Sequence, residues 1–420
     1  MGFKAAVVGC GAQGRVISYF FAHRKDCDEV TLSDIDPNAL KEHAANLESD
    51  KVRAVRADAS DPNSIEKACR GSDVVVNAVI PRFNLQVMSA ALKAGANYVD
   101  MAFGPPYDNL EKEMKLSGEY SSRGLIAVTG AGKTPGLSNL LVARATDRLD
   151  RVSSVTIRVF GELVAKIPIL TWSPQTLAED CALPPTVLVS GIVRKESPFS
   201  GEEEFRFPVP GIGTRRVWLH EHEEAYMFQR TLRKFGLRHF DLKMGGIEQM
   251  KALYDLGLLS DRTLYIHGAK VETLKLTASM LPKPPTWKEL LSMIRGGTVT
   301  DSHGCMVVDV RGVKNGRAKG LRLWVTDPKI RKVVASCPMA TDDSYVVAMT
   351  AATFAVLVAK RKIPEKGIVL PEELSSQSRN MWLESLAKLS PPVIARESTL
   401  RPGFRVSARG SKPRAIVVRE

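Results

Sequence analysis

The sequence predicts an α/β protein in two parts: an N-terminal doubly wound parallel sheet, then a second α+β domain containing a mixed or antiparallel sheet. Three observations carry this. Short apolar runs alternate with helix-length segments through the first 130 residues, as strands and crossover helices do in parallel sheets. From about residue 150 the rhythm changes to longer alternating runs and Pro/Gly-rich stretches. The chain has 420 residues, 44% hydrophobic and 25% charged, which suits a globular protein of about two domains.

The elements follow in order. Residues 3–8 (FKAAVV) form a glycine-bounded apolar run, the first strand, with a helix at 13–23. Strand 29–32, helix 38–47 and strand 52–55 come next. Asp61 before Pro62 is an N-cap with proline at the first helical position, which starts a third helix. Residues 73–78 (DVVVNA) are apolar on both faces, as buried parallel strands are. Helix 85–94, strand 98–99, a helix near 109–121 and strand 125–128 complete a first domain, 1–130.

The second domain is placed at 131–342. It has a half-exposed strand at 152–159, few helical stretches over 171–245 and a strand region at 264–276. A hairpin at 306–325 turns on Asn315-Gly316, a dipeptide suited to a tight turn. The apolar helix 345–359 is shorter than the ~20 residues a bilayer span needs. Within 343–385 it is expected to return onto the first domain. Residues 386–420 read as a basic flexible tail. From Arg396 onward there are seven Lys/Arg against two Glu, within a net charge of +13. A solvated tail accounts for that, so nucleic acid is not the expected partner. The six cysteines are scattered without a C-x-x-C pair, and neither a disulfide scaffold nor a metal centre is expected. With no leader and no membrane partner, the expected location is cytoplasmic.

Gly9-Cys10-Gly11-Ala12-Gln13-Gly14 is G-x-G-x-x-G between a strand and a helix, the context in which that pattern binds a dinucleotide. Gly9 makes the turn, Gly11 admits the pyrophosphate and Gly14 lets the helix sit close. Asp34 ends the second strand twenty residues after Gly14. A carboxylate there accepts ribose hydroxyls and repels a 2′-phosphate, so NAD is expected rather than NADP. Asp58 and Ala59 follow the third strand, on the adenine-ribose side. Asn77, Ala78 and Pro81, after the fourth strand, are placed near the nicotinamide.

Other patterns are weaker. Residues 130–134 (GAGKT) resemble the end of a P-loop but have Ala127 where its first glycine belongs. His220 and His222 share one face of a strand, with Glu221 and Glu223 on the other, a poor metal site. Asp100 closes a strand at the edge where ligands sit, and it could take a substrate proton. Trp172 lies in a Pro-bounded loop and could wall a pocket.

Together the segments GCGAQGR, VTLSDID, VRADASDP, SDVVVNAVIPRFN, AGANYVD and GKTPGLSN resemble the saccharopine dehydrogenase family. The resemblance is dense over the first 140 residues and thinner to about residue 371. It implies a Rossmann domain, a substrate domain, a homodimer, and NAD(P)-linked oxidation of a C–N bond in an amino-acid or polyamine side chain. Oxidative deamination of the 6-amino group of L-lysine is the expected reaction. The alternatives are imine reduction of the saccharopine or carboxynorspermidine type, or a non-catalytic NAD(H) sensor. Asp100 is the first candidate for the proton, with Lys243 and Glu162 as second-domain alternatives. Asn84, Phe103, Lys133, Pro135, Gly136, Asn139 and Trp172 are the expected substrate contacts. Thr134 stands where the family's G-x-D-P-G or G-x-A-P-G segment has Asp or Ala, and Lys133 before it adds a cation that could hold a substrate carboxylate.

Overall fold

The computed structural model describes residues 2–105, 107–400 and the backbone of 414–415. In chain order its elements are β1 (Phe3–Val8), α1 (Ala12–Ala22), β2 (Cys27–Asp34), α2 (Pro37–Asn46), β3 (Val52–Arg56), α3 (Pro62–Cys69), β4 (Val74–Asn77), α4 (Asn84–Lys93), β5 (Asn97–Asp100), α5 (Asn109–Met114), α6 (Ser117–Ser122), β6 (Ile126–Val128) and α7 (Leu137–Thr146). Then come β7 (Arg151–Ala165), α8 (Pro174–Ala182), β8 (Thr186–Val189), β9 (Ile192–Lys195), β10 (Glu203–Arg206), β11 (Thr214–Leu219), α9 (Glu224–Thr231), β12 (His239–Gly245), α10 (Glu248–Asp255), β13 (Thr263–Ile266), β14 (Ala269–Glu272), α11 (Thr273–Met280), α12 (Trp287–Arg295), β15 (Val299–Lys314) and β16 (Arg317–Thr326). The chain closes with α13 (Ile330–Ser336), α14 (Asp342–Ala359), β17 (Gly367–Val369), α15 (Ser376–Ala387), β18 (Ala395–Leu400) and β19 (Arg414–Ala415).

Two compact units result. Among the described residues, the first runs to Arg144 and adds Ala335–Ile394; the second is Ala145–Val334 with Ala395–Leu400 and residues 414–415. The first unit holds a parallel sheet in the order β17-β6-β5-β4-β1-β2-β3. β4 is buried at all four positions because helices cover both faces. α3, α4 and α6 cover one face through Ile65, Val87, Met88 and Tyr120. α14 lies on the other beside α1. It is apolar nearly all round because most of it is buried within this unit, although its length and composition would also suit a membrane. α15 closes over it. Trp382 is fully buried, stacks on Phe354 at 4.1 Å between centroids, and donates its Nε1–H to the Thr350 carbonyl at 2.8 Å.

The second unit is built on one mixed sheet, β10-β11-β12-β7-β15-β16-β18-β19, with the β8–β9 hairpin attached to β12. β12 and β7 are parallel, and the other neighbours antiparallel. Asn315 and Gly316 both have positive φ, at 51° and 71°, as their hairpin turn requires.

Several expectations change. Residues 386–394 belong to the first unit, and 395–400 are strand β18 paired with β16, so the segment is not tail from 386. Its sequence, ARESTL, has no apolar alternation to announce a strand. The remaining tail, 401–413 and 416–420, lies outside the described residues. Residues 264–276 are a hairpin running into a helix, and 109–121 is two short helices. β17 joins the sheet with only three residues, too few for a sequence signal. The six cysteines are free and buried.

Truncating Trp382→Ala removes a filled core position and a hydrogen bond. The unfolding free energy from denaturant titration should fall by about 3–5 kcal/mol. A loss below about 1 kcal/mol would show that α15 is not part of the first unit's core.

Candidate active site

β1 ends at Val8 and the chain turns at Gly9, φ +100°. A Cβ on Gly9 would lie 2.8 Å from Val79 Cγ1, and one on Gly14 only 1.8 Å from the Gly9 carbonyl oxygen. Packing of α1 on β1 therefore fixes both glycines. Gly11 is different, since a Cβ there would meet nothing within 4 Å. No side chain caps α1 at Gly11, which leaves the helix N-terminus as a cradle for an anion. Beside it the Gln13 Oε1 is buried without a hydrogen bond. Asp34 accepts from the Cys10 N–H at 2.7 Å and the Asp36 N–H at 3.0 Å, which holds its carboxylate against the glycine loop. Ile35 and Ile80, both 53% exposed, are the exposed large hydrophobics described in the first unit. Each follows the C-terminal end of a strand, where a flat ring would cover it. The cradle thus fits a dinucleotide. Asp58 is committed to its own loop: it accepts the Ser60 N–H at 2.8 Å and the Ser60 hydroxyl at 2.7 Å, with Ala59 buried between them.

A buried polar network ties together the ends of β4, β5 and β6. Asn77 donates to Asn84 Oδ1 at 2.9 Å and to the Tyr98 hydroxyl at 3.0 Å, and accepts the Val79 N–H at 3.2 Å. The last bond shapes the loop through half-buried Ala78 to Pro81. Asn84 donates to Asp100 at 3.1 Å and to the Ala102 carbonyl at 2.7 Å. Asp100 also accepts the Thr129 hydroxyl at 3.0 Å and the Gly130 N–H at 2.7 Å. Its carboxylate is thus engaged on both oxygens by protein donors, with no exposed face. Glu113 is buried nearby, and its oxygens close no hydrogen bond. Burial pushes both carboxyls up; at Asp100 the Gly130 and Thr129 bonds oppose it, whereas at Glu113 the charge of Asp100 adds to it.

The next loop is equally enclosed. Gly136 has φ +123°, and a Cβ would lie 2.1 Å from the Gly132 carbonyl oxygen. Asn139 accepts the Gly136 N–H at 2.9 Å and donates to Glu372 at 2.8 Å. Pro135 and Phe103 are buried, the latter edge-on to Tyr107. Lys133 is also buried, and its ammonium reaches Asp343 at 3.0 Å. Asn84, Phe103, Gly136 and Asn139, expected as substrate contacts, thus shape the loops from within.

In the second unit Lys243 donates to Glu203 at 2.9 Å. Arg158, its register partner on β7, shares that carboxylate at 2.8 Å and also pairs with Asp241. Asp241 accepts from His239 at 3.1 Å. Burial opposes its ionisation, yet bonds from His239 and Arg158 hold it down at about 2. Lys243, Asp241 and His239 alternate along β12 on one face. Glu162 meets Arg215 at 3.4 Å, and Trp172 is 41% exposed ahead of α8. The sequence reading did not single out His239, because a lone imidazole carries no signal until Asp241 is seen to orient it. β11 ends at Leu219, so strand alternation does not extend over 220–223 and His222 contacts both Glu223 and Glu224.

The glycines give a paired test. Gly11→Ala should leave the melting temperature unchanged while weakening NAD(P)H at least about tenfold, since the methyl occupies only the anion's approach. Gly14→Ala should lower the melting temperature itself. Equal affinity for NADH in wild type and Gly11→Ala would remove the pyrophosphate from this loop.

Two family models cover the chain: the saccharopine dehydrogenase NADP binding domain over residues 5–128 and the saccharopine dehydrogenase C-terminal domain over 132–390. Among curated proteins, a carboxyaminopropylagmatine dehydrogenase from Synechocystis is 25% identical over 330 residues, covering 75% of this chain and 79% of the relative. A carboxynorspermidine synthase from Vibrio alginolyticus is 23% identical over 406 residues, covering 87% and 91%. Among solved structures, the L-Glu-forming saccharopine dehydrogenase of Saccharomyces cerevisiae has the same fold, with TM-score 0.71 at 15% identity over 95% of this chain and 100% of that one. A homospermidine synthase from Legionella pneumophila, in complex with NAD, gives 0.64 at 14% over 94% and 91%. With its cradle, its two-unit fold and both family domains in place, the chain belongs to the saccharopine dehydrogenase family of NAD(P)-dependent oxidoreductases acting on amines and imines.

Proposed function

We propose that this oxidoreductase reduces an imine joining the amine of a polyamine-type substrate to a carbonyl compound that carries a carboxylate. The observation that carries this reading is the pair of curated relatives matched over most of their length, both named for carboxyl-bearing polyamine conjugates. They draw the reading away from lysine deamination and toward the second branch of the sequence expectation. Both reactions move a hydride between the nicotinamide and the carbon of a C–N bond, in opposite directions, but imine reduction must also hold the two joined substrates.

A reduced nicotinamide, when bound, supplies the hydride. The protein's own groups do the rest. The glycine loop and the N-terminus of α1 hold the pyrophosphate, and Asp34 takes the ribose hydroxyls, which favours NAD(H) over NADP(H). The Asn77–Asn84–Asp100–Thr129 network fixes the strand-end loops that flank the nicotinamide. Lys243 and the His239–Asp241 pair are the groups chemically able to deliver a proton to the imine nitrogen. Asp100 is a positioning residue in this reading, because its oxygens are already engaged.

The test is NADH consumption by purified protein. Diaminopropane, norspermidine, agmatine and lysine would each be offered with and without a carboxylate-bearing aldehyde or 2-oxo acid. We expect turnover only when amine and carbonyl are present together, faster with NADH than NADPH. NAD⁺ reduction on lysine alone, with ammonia released, would restore the deaminase reading.

A further inference from the structure

The loops after β4, β5 and β6 (residues 78–83, 101–108 and 129–136) carry two cationic side chains between them, Arg82 and Lys133. The two meet different surroundings. Lys133 is buried, and its ammonium pairs with Asp343 at 3.0 Å. Arg82 is exposed, and among the described residues its guanidinium makes no hydrogen bond and no ion pair.

Arg82 is nevertheless held in place. It is the middle residue of a single 3-10 turn, Pro81–Phe83. Before the turn, the Val79 N–H donates to Asn77 at 3.2 Å. The Phe83 N–H closes the turn on the Ile80 carbonyl at 3.1 Å. Directly after it, Asn84 is anchored on Asp100 and on the Ala102 carbonyl. The guanidinium lies over the Phe83 ring, with Cζ 4.7 Å from the centroid. That ring in turn packs against the core cluster of Val87 and Met88. A cation resting on an anchored ring has less rotamer freedom to lose when a ligand arrives.

The turn also stands where a ligand is expected. In this sheet β1 has β2 on one side and β4 on the other, so the crevice outside β1 and β4 is the switch point at which ligands bind. On the β2 side, Arg15 and Arg56 each donate Nε–H to a loop carbonyl, of Cys10 at 3.0 Å and of Ile35 at 3.2 Å. The cofactor's pyrophosphate is met by the glycine loop and the N-terminus of α1. The anion left for Arg82 is therefore one the substrate brings. A guanidinium is a planar fork of donors and fits a carboxylate with two parallel bonds.

We propose that Arg82 is the substrate-carboxylate anchor: its guanidinium binds the carboxylate of the carbonyl substrate and orients that substrate. Lys133, expected in this role from the sequence, ties the loop after β6 to α14 instead. The proposal deepens the imine-reduction reading and rests on it for the carboxylate.

The test uses succinic semialdehyde and pyruvate as probes, with 4-oxobutanamide and pyruvamide as their neutral isosteres. Each is titrated by calorimetry into the full chain saturated with NADH, without any amine. Saturable binding of an acid is expected, with its amide bound at least about tenfold more weakly, the worth of one hydrogen bond to a charged group. Arg82→Gln should bring the acid down to the affinity of the amide and leave the amide unchanged. Arg82→Lys keeps the charge without the fork and should fall between. NADH affinity and melting temperature should stay as in wild type for both variants. Equal binding of the acid by wild type and Arg82→Gln overturns the anchor, and so does an absence of saturable binding for both acids. A loss confined to NADH affinity overturns it too, since Arg82 would then be a cofactor ligand. The outcomes separate from those of the function itself. Acid binding that depends on Arg82 keeps the anchor even if no amine–carbonyl pair consumes NADH. Turnover of such a pair with acid binding unchanged in Arg82→Gln keeps the function and removes the anchor.

Discussion

The buried carboxyls at the C-terminal edge of the parallel sheet are the constraint on which the first unit depends. Asp100 accepts from Asn84, Thr129 and Gly130, and so joins the loops after β4, β5 and β6 in one hydrogen-bonded piece. An unpaired charge in that position would be costly. Here donors from two neighbouring elements meet it, and the loops gain a defined shape in return. Glu113 shares the interior without closing bonds of its own. Such a group is tolerated only if it keeps its proton. The dinucleotide edge is therefore built on a titratable interior.

The two units divide the chemistry. The first carries the geometry of nucleotide binding: two glycines locked by packing, one left open, and an acid oriented by the glycine loop. The second carries charge. Along β12, Lys243, Asp241 and His239 alternate on one face and are tied together through Arg158 and Glu203.

Local signals were readable and distant ones were not. Gly9, Gly11, Gly14 and Asp34 each have a role set by a few neighbouring residues, so their spacing was enough. The same held for the Asp61–Pro62 helix start and the Asn315-Gly316 hairpin. The internal bonds of Asn84, Phe103 and Asn139 depend on partners such as Glu372, 233 residues away from Asn139, which no local spacing shows. The pairing of Lys133 with Asp343 on α14 is equally distant in sequence. The contacts of His222 with Glu223 and Glu224 were hidden because strand periodicity was carried over 220–223, past the end of β11 at Leu219. β17 and β18 were missed because a three-residue strand and a polar strand leave no periodic trace.

The measurement that bears most directly on this account is the stability of wild type and Glu113→Gln across pH 5 to 9. Buried carboxyls with raised values keep a proton that the unfolded chain has already lost. They therefore cost stability progressively as pH climbs from the ordinary carboxylic range, and the cost levels off only above the raised value, about 9 for Glu113. Depressed histidines such as His43 act in the opposite sense at the acid end, so the difference between the two proteins is the quantity to follow. The account predicts that Glu113→Gln gains on wild type as pH rises, by more than about 1.4 kcal/mol, the worth of one pKa unit. A difference that stays constant across the range would contradict a titratable interior beneath the cofactor edge.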